Sequence, residues 1–127
     1  MDFRTTMLIQ GVQGVTIAIV LLAIPQLFLE FLATELPVST LSVQILRLLA
    51  LFLAVLCLSL AAIRNIQDKD AQKAVLLANM GIDFIAFIYL AIITYMGNLQ
   101  ATGGYVLAVL MLVNALNYIP CYRGLNK

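Results

Sequence analysis

The residues best suited to chemistry in this chain are polar side chains that recur three, four or seven positions apart within long apolar segments. Residues with these spacings share one face of a helix. Four polar faces result: Thr6, Gln10 and Gln13; Gln44 and Arg47; Gln72, Asn79 and Asp83; and Asn114 and Asn117. A polar face turned to lipid would leave its amides without hydrogen-bond partners. All four faces are therefore predicted to converge on the interior of a helical bundle.

Asp83 and Arg47 are the charged residues within these apolar segments. A charged side chain at the centre of a membrane helix costs about 2.5–3.5 kcal/mol on insertion scales, which makes each a candidate functional residue. In one hypothesis Asp83 takes up a proton or binds a cation, and Arg47 is its counter-charge. The flanking amides are then Asn79, Asn114 and Gln13. In the other hypothesis the amides only join helices, through hydrogen bonds worth about 0.6 kcal/mol each, while Asp83 is neutral or paired and Arg47 extends outward.

The depths of the two charged residues argue against direct contact between them. Arg47 is expected to lie roughly 10 Å nearer the outer surface than Asp83, from a helical rise of about 1.5 Å per residue. Its side chain leans toward the N-terminal end of its helix, so Gln44, Glu35 or lipid headgroups are its expected partners. Asp83 is predicted to stay protonated, because desolvation disfavours its charged form. It should then donate a hydrogen bond to Asn114 or another midplane amide.

The elements that must position these residues are four long apolar runs, at about 5–24, 41–63, 74–96 and 104–121. Each is about as long as the ~20 residues that a helix needs to cross the ~30 Å hydrocarbon core of a bilayer. The chain of 127 residues is 64% hydrophobic and 10% charged, whereas soluble domains carry about 25% charged residues. These features predict an all-α integral membrane protein. It should be a single domain, 1–127, built as a four-helix transmembrane bundle in contact with the lipid bilayer.

The composition also argues against several functions. A net charge of +1 without a basic stripe is not the electrostatic footprint of a nucleic-acid-binding protein. The sequence contains no His, the commonest metal and haem ligand, and no cluster of Cys, Asp and Glu replaces it. We therefore expect neither a bound metal nor a cofactor. Without His or a credible acid–base pair, general acid–base catalysis has few agents, so the protein is not expected to be an enzyme.

The loop charges predict the orientation of the spans. The six loop and tail cations precede the first run or follow the second and fourth: Arg4, Arg64, Lys69, Lys73, Arg123 and Lys127. The loops 25–40 and 97–103 contain no Lys or Arg. The positive-inside rule therefore places both termini in the cytoplasm. The first run is longer than a signal-peptide core and no A-x-A cleavage site follows it, so it is expected to remain as a span.

Short connections limit how the spans can pack. The loops 64–73 and 97–103 can only join antiparallel neighbours, so spans two, three and four are expected to pack side by side in order, with up-and-down topology. The segment 25–37 has two interpretations. It forms a short interfacial helical turn on the outer surface, or the first helix continues, tilted, to about residue 32. Four small residues allow either close helix contact or local looseness: Gly11, Gly14, Gly103 and Gly104.

The order of these features is the basis of a family resemblance. The first span ends at Pro25, an L-F-L-x-x-L run and Pro37 follow, and residues 41–53 read L-x-x-x-x-L-R-L-L-A-L-F-L. A charged loop and two further spans complete the chain. This pattern covers nearly the whole chain and resembles uncharacterised bacterial four-helix membrane proteins of the broad DoxX-like type. The resemblance implies a location in the inner (plasma) membrane of a bacterium, and it transfers no functional residue.

Two functions from different classes fit these features. The first is an accessory or scaffold subunit of a larger membrane complex, respiratory, photosynthetic or secretory, because the chain has almost no soluble mass. The second is a self-associating small-solute, proton or ion transporter or channel that uses Asp83 and the midplane amides. The intramembrane candidates for either function are Asp83, Arg47, Asn79, Asn114, Asn117, Gln13 and Gln10.

Overall fold

The computed structural model describes residues 2–127, and most of them are helical. The helices are α1 (Phe3–Ala23), α2 (Pro25–Leu32), α3 (Thr40–Ile63), α4 (Lys69–Tyr95), α5 (Ala101–Asn117) and α6 (Ile119–Leu125). The described residues contain no strand. Four helical stretches are long and apolar enough to cross a membrane: α1, α3, α4, and α5 together with α6 (Ala101–Leu125). The predicted all-α fold with four such helices is confirmed.

Three helices begin before their apolar runs, each directly after a polar N-cap residue. Asp2, Ser39 and Asp68 each accept a backbone N–H hydrogen bond from the first turn of α1, α3 and α4, which satisfies a donor that the helix leaves free. Hydrogen bonds from the side chain and backbone of Thr5 lower the pKa of Asp2 below its usual range. The cap of α1 therefore stabilises the fold above the unfolded-state pKa of Asp2 and is lost as the pH falls through the folded-state value.

A break at Ile24 separates α2 from α1. Ile24 has φ −130° and ψ 52°, outside the helical region, and Pro25 has no N–H to continue the hydrogen-bond ladder. Segment 25–37 thus begins as a separate short helix and does not continue the first one. At its far end α2 reaches α5: the N–H of Gln100 donates to the carbonyl of Leu32 at 2.8 Å, and a Cβ on Gly103 would overlap the Phe31 carbonyl.

The long helices pack as two antiparallel pairs, α1 with α3 and α4 with α5. In the first pair, a Cβ on Gly11 would lie 2.9 Å from the carbonyl oxygen of Cys57, and one on Gly14 would overlap the Cys57 sulfur. In the second pair, a Cβ on Gly104 would overlap the Thr94 hydroxyl. These glycines allow the close helix contact that the sequence predicts.

Contacts between the two pairs are concentrated at the ends of the molecule. Where the termini lie, a buried apolar cluster joins α1, α4 and the α5–α6 stretch; this termini cluster consists of Phe3, Met7, Leu76, Tyr118 and Cys121. At the opposite end, α2 contacts both α3 and α5. The two pairs are therefore connected at the termini cluster and at α2.

The expected side-by-side packing of spans two and three is wrong. α4 and α5 do pack together, but α3 and α4 lack the close backbone approach seen within each pair. The reason lies in the small residues. Gly11 and Gly14 open a surface on α1 that receives Cys57 and Ala61 of α3, so the closest contacts of α3 are made with α1.

The turn between α4 and α5 is closed by a glycine in the left-handed region. Gly97 has φ 79°. Its N–H donates to the carbonyl of Thr94, and the N–H of Asn98 donates to that of Ile93, both at 3.0 Å. This is the Schellman pattern, which satisfies carbonyls at the end of a helix. It reverses the chain so that α5 packs back along α4.

Candidate functional site

The candidate site centres on a hydrogen bond between Asp83 of α4 and Asn114 of α5. Asn114 Nδ2 donates to Asp83 Oδ2 at 2.6 Å, and both side chains are half-buried. Within residues 2–127, no other side chain–side chain hydrogen bond joins two helices. The pair therefore supplies a directional link to an interface that is otherwise formed by apolar and small residues.

The sequence predicts Asn114 or another midplane amide as the partner of Asp83, but it does not predict the direction of the bond. Asp83 was expected to donate a proton to an amide oxygen, whereas the amide nitrogen is the donor. A carboxyl oxygen accepts such a bond in either protonation state. Because the amide nitrogen of Asn114 makes this bond, its amide oxygen, Oδ1, does not take part in it and is buried without a hydrogen-bond partner. In the described part of the chain it is the one buried side-chain polar atom without a hydrogen-bond partner.

Asp83 and Arg47 are not in contact. No ion pair within 4.0 Å forms among the described residues, and Arg47 lies at the α2 end of the molecule, beside Pro25 and Glu30. This separation agrees with the depth argument made from the sequence. Asp83 therefore has Asn114, and not Arg47, as its side-chain partner.

The remaining amides do not join the Asp83–Asn114 pair. Asn79 lies one turn before Asp83, but its Nδ2 donates to the carbonyl of Val75 in its own helix at 2.8 Å. Gln10 is buried, with 8% of its surface exposed. Gln13 and Asn117 are exposed.

The prediction that all four polar faces converge on the interior is therefore wrong for four exposed residues: Gln13, Gln44, Arg47 and Asn117. The physical reason is the arrangement of the helices. Each long helix is covered mainly by the one partner of its pair, so much of its remaining surface is exposed along its whole length. A polar residue can then share a helix face with a buried one and still lie at the surface, as Gln13 does beside Gln10.

Arg47 lines an open groove between α2 and α3. The groove has a volume of about 420 Å³, and Val43, Glu30 and the segment from Ala23 to Leu27 complete its lining. The C-terminal end of α1 lies in this lining. Because α2 begins in the same lining, the opposite partial charges of the two helix ends offset each other, and Glu30 is the acidic side chain that shares the groove with Arg47.

Sequence reasoning missed three residues at these sites. Glu30 shares the groove with Arg47, although Glu35 was the expected acidic neighbour. Cys57 and Thr94 form the surfaces against which Gly14 and Gly104 pack. A usable signal was present for Glu30, because it lies four residues after Gln26 and accepts its side-chain hydrogen bond at 3.0 Å. Cys57 and Thr94 contact these glycines because of how the helices pair, and no local sequence pattern indicates that pairing.

No grouping of three His, Cys, Asp or Glu side chains suited to a metal ion occurs among residues 2–127. Comparison with known proteins returns no significant match to a family model, a curated protein or a solved structure. The likeness to DoxX-like membrane proteins stays a prediction.

Proposed function

We propose that this protein is a non-enzymatic accessory or scaffold subunit of a larger membrane complex, of the respiratory, photosynthetic or secretory kind. The observation that supports this most directly is the outward face of α4. Ile82, Ile85, Tyr89 and Ile92 are 65%, 68%, 62% and 52% exposed. Their spacing of three, four and three residues is that of a seam between two packed helices. The proposed docking face for a partner helix is this α4 seam.

Tyr89 adds a polar group to the α4 seam. It lies six residues before the end of α4, about 9 Å along the helix axis, and its hydroxyl forms no hydrogen bond with the rest of residues 2–127. A hydroxyl in hydrocarbon favours a partner that can accept its hydrogen bond. A protein helix offers such acceptors at this depth, and acyl chains do not.

The low burial of two long helices, α3 and α4, supports the same proposal. In the most apolar 18-residue stretches of α3 and α4, only 11% and 6% of the residues are buried. Both helices therefore offer long apolar faces to their surroundings. Under the proposal, both termini are cytoplasmic and the protein spans a bacterial inner membrane. The proposal of cytoplasmic termini rests on the six loop and tail cations. The proposal of a bacterial inner membrane rests on the DoxX-like resemblance.

The test is purification in a mild detergent followed by mass spectrometry of the intact assembly. We expect the wild-type chain to be recovered with stoichiometric larger membrane proteins. Ile85→Trp should release them, because a large side chain blocks a close helix seam, whereas fluid acyl chains accommodate it. The matched control is Val109→Trp on the outward face of α5, where Val109 is 55% exposed; this variant should keep its partners.

Recovery of the wild-type chain without other proteins, or equal recovery of partners by both Trp variants, would contradict the subunit proposal or its docking face. A stable homo-oligomer would instead favour the second candidate, a small-solute, proton or ion transporter or channel. The observation that favours this candidate is the buried, unsatisfied Asn114 Oδ1 beside Asp83, since a transported ion or water could bind there. Its test is flux into liposomes, which Asp83→Asn should abolish.

A further inference from the structure

Two adjacent cavities lie at the α2 end of the molecule. The first is the groove of about 420 Å³ that contains Arg47, Glu30 and Gln26. The second has a volume of about 440 Å³ and is lined almost entirely by apolar side chains: Val20, Ile24, Leu27, Phe28 and Phe31, with Glu30 at its edge. Ile24, Leu27 and Glu30 line both cavities. The two therefore form one continuous surface, the α2 groove, with a charged part and an apolar part.

The charged part of the α2 groove contains a basic and an acidic side chain that do not form an ion pair. Arg47 and Glu30 both line it, yet no ion pair within 4.0 Å forms in the described part of the chain. Glu30 Oε1 accepts one hydrogen bond, from Gln26 Nε2. The guanidinium of Arg47 donates none to residues 2–127. Five guanidinium N–H donors and most of the carboxylate acceptor sites thus remain available to a ligand.

We propose that the α2 groove binds a phospholipid with a phosphoethanolamine headgroup. The phosphate accepts hydrogen bonds from Arg47, the ammonium donates to Glu30, and an acyl chain lies along the apolar part between Val20 and Phe31. Arg is well suited to the first contact because its planar fork matches phosphate oxygens. This lipid site does not depend on the proposed subunit role.

The choice of headgroup follows from the paired charges. An anionic headgroup without an ammonium would satisfy Arg47 but place additional negative charge near Glu30. A quaternary ammonium has no N–H to donate to the carboxylate. Phosphoethanolamine supplies one anion and one N–H-bearing cation, joined by a short linker. It therefore complements both Arg47 and Glu30 at once.

The test is native mass spectrometry of the full chain equilibrated with equal amounts of phosphatidylethanolamine and phosphatidylglycerol of matched acyl chains. The wild type should retain phosphatidylethanolamine in about tenfold excess, the factor that one charge-assisted contact supplies. Arg47→Gln should reduce its retention about tenfold. Glu30→Gln should abolish the preference between the two lipids, because the ammonium then loses its partner. A parallel sample with soluble glycerophosphoethanolamine distinguishes a headgroup site from a lipid site.

Two variants provide controls with the same charge changes elsewhere. Glu35→Gln removes an exposed carboxylate beyond α2, and Arg123→Gln removes an exposed cation in α6; both should retain lipid as the wild type does. Glu30→Gln, on the short helix α2, tests the site even where Arg47→Gln fails to fold. Equal retention of both lipids by the wild type would overturn the proposal. So would variants that match their controls, or displacement of the lipid by the soluble headgroup at equal concentration.

Discussion

The carboxyl group of Asp83 and the amide of Asn114 form a single hydrogen bond, and the stability of the α4–α5 interface depends on what replaces either group. Asp83→Asn keeps an oxygen that can accept from Asn114 Nδ2, so this variant should fold and assemble normally. Asp83→Leu leaves both polar atoms of Asn114 without a partner. We expect it to lose about 0.6–1.7 kcal/mol, the range for hydrogen bonds between membrane helices. The measurement is reversible unfolding in mixed micelles.

A double-mutant cycle separates this bond from general effects of substitution. Asp83→Leu combined with Asn114→Leu should cost less than the sum of the single changes, because the second substitution removes the stranded amide. Asp83→Leu combined with Asn79→Leu should be additive, since Asn79 bonds within its own helix. Additivity in both combinations would show that the Asp83–Asn114 bond does not stabilise the interface.

At the scale of elements, the α1–α3 pair depends on two glycines that meet different parts of Cys57. Gly14→Ala places its methyl group against the Cys57 sulfur, and Gly11→Ala places its own 2.9 Å from the Cys57 carbonyl oxygen. Both changes should separate the helices and destabilise the protein by about 1–3 kcal/mol, as overpacking does. Cys57→Ala should restore part of the loss for Gly14→Ala only, because it removes the sulfur and leaves the carbonyl. Unfolding measurements on the three single variants and the two double variants check this.

Gly81→Ala is the matched control for both glycine variants. Nothing lies within 4 Å of a Cβ built on this mid-helix glycine of α4, so alanine should be neutral or stabilise by up to about 1 kcal/mol. If Gly81→Ala is as harmful as Gly14→Ala, then the loss reflects something other than close packing. Equal rescue of Gly11→Ala and Gly14→Ala by Cys57→Ala would lead to the same conclusion.

The α4–α5 turn gives a second test at this scale. Gly97→Ala forces a side chain into the left-handed region, which costs about 1–2 kcal/mol. Faster hydrogen exchange at the Gly97-position and Asn98 amides should accompany the loss, because these two close the turn. Gly124→Ala, at a glycine without a positive φ or a close neighbour, should leave exchange in this turn unchanged.

At the scale of the whole molecule, the charge distribution leads to a topology experiment. All six loop and tail cations precede the first span or follow the second and fourth. A reporter fused to the C-terminus should therefore be cytoplasmic. A cysteine introduced by Asn98→Cys should react with an impermeant reagent from outside the cell. Labelling of Asn98→Cys only after permeabilisation, with an external C-terminal reporter, would reverse the assignment.

The sequence predicts the membrane-length helices because hydropathy and length suffice for that step. It also limits the partner of Asp83 to Asn114 or another midplane amide, since these residues lie near the middle of their spans. It does not predict that α3 pairs with α1, because this choice depends on how Gly11 and Gly14 fit Cys57 across a long stretch of chain. The exposure of Gln13 on α1 and of Asn117 on α5 follows from the arrangement in two pairs, in which each long helix is covered mainly by one partner. Local periodicity identifies a helix face, and only the tertiary arrangement decides what covers it.

The pairing of α1 with α3 also bears on how the protein is made. Every residue of this pair lies before residue 64, so both partners have been synthesised before α4 begins at Lys69. The two helices can associate in the membrane while the ribosome is still translating the second half of the chain. The Asp83–Asn114 bond forms only after α5 follows α4. The chain order thus allows the two hairpin-like units to assemble in the order of translation, and the termini cluster, which needs Tyr118 and Cys121, can be completed only at the end.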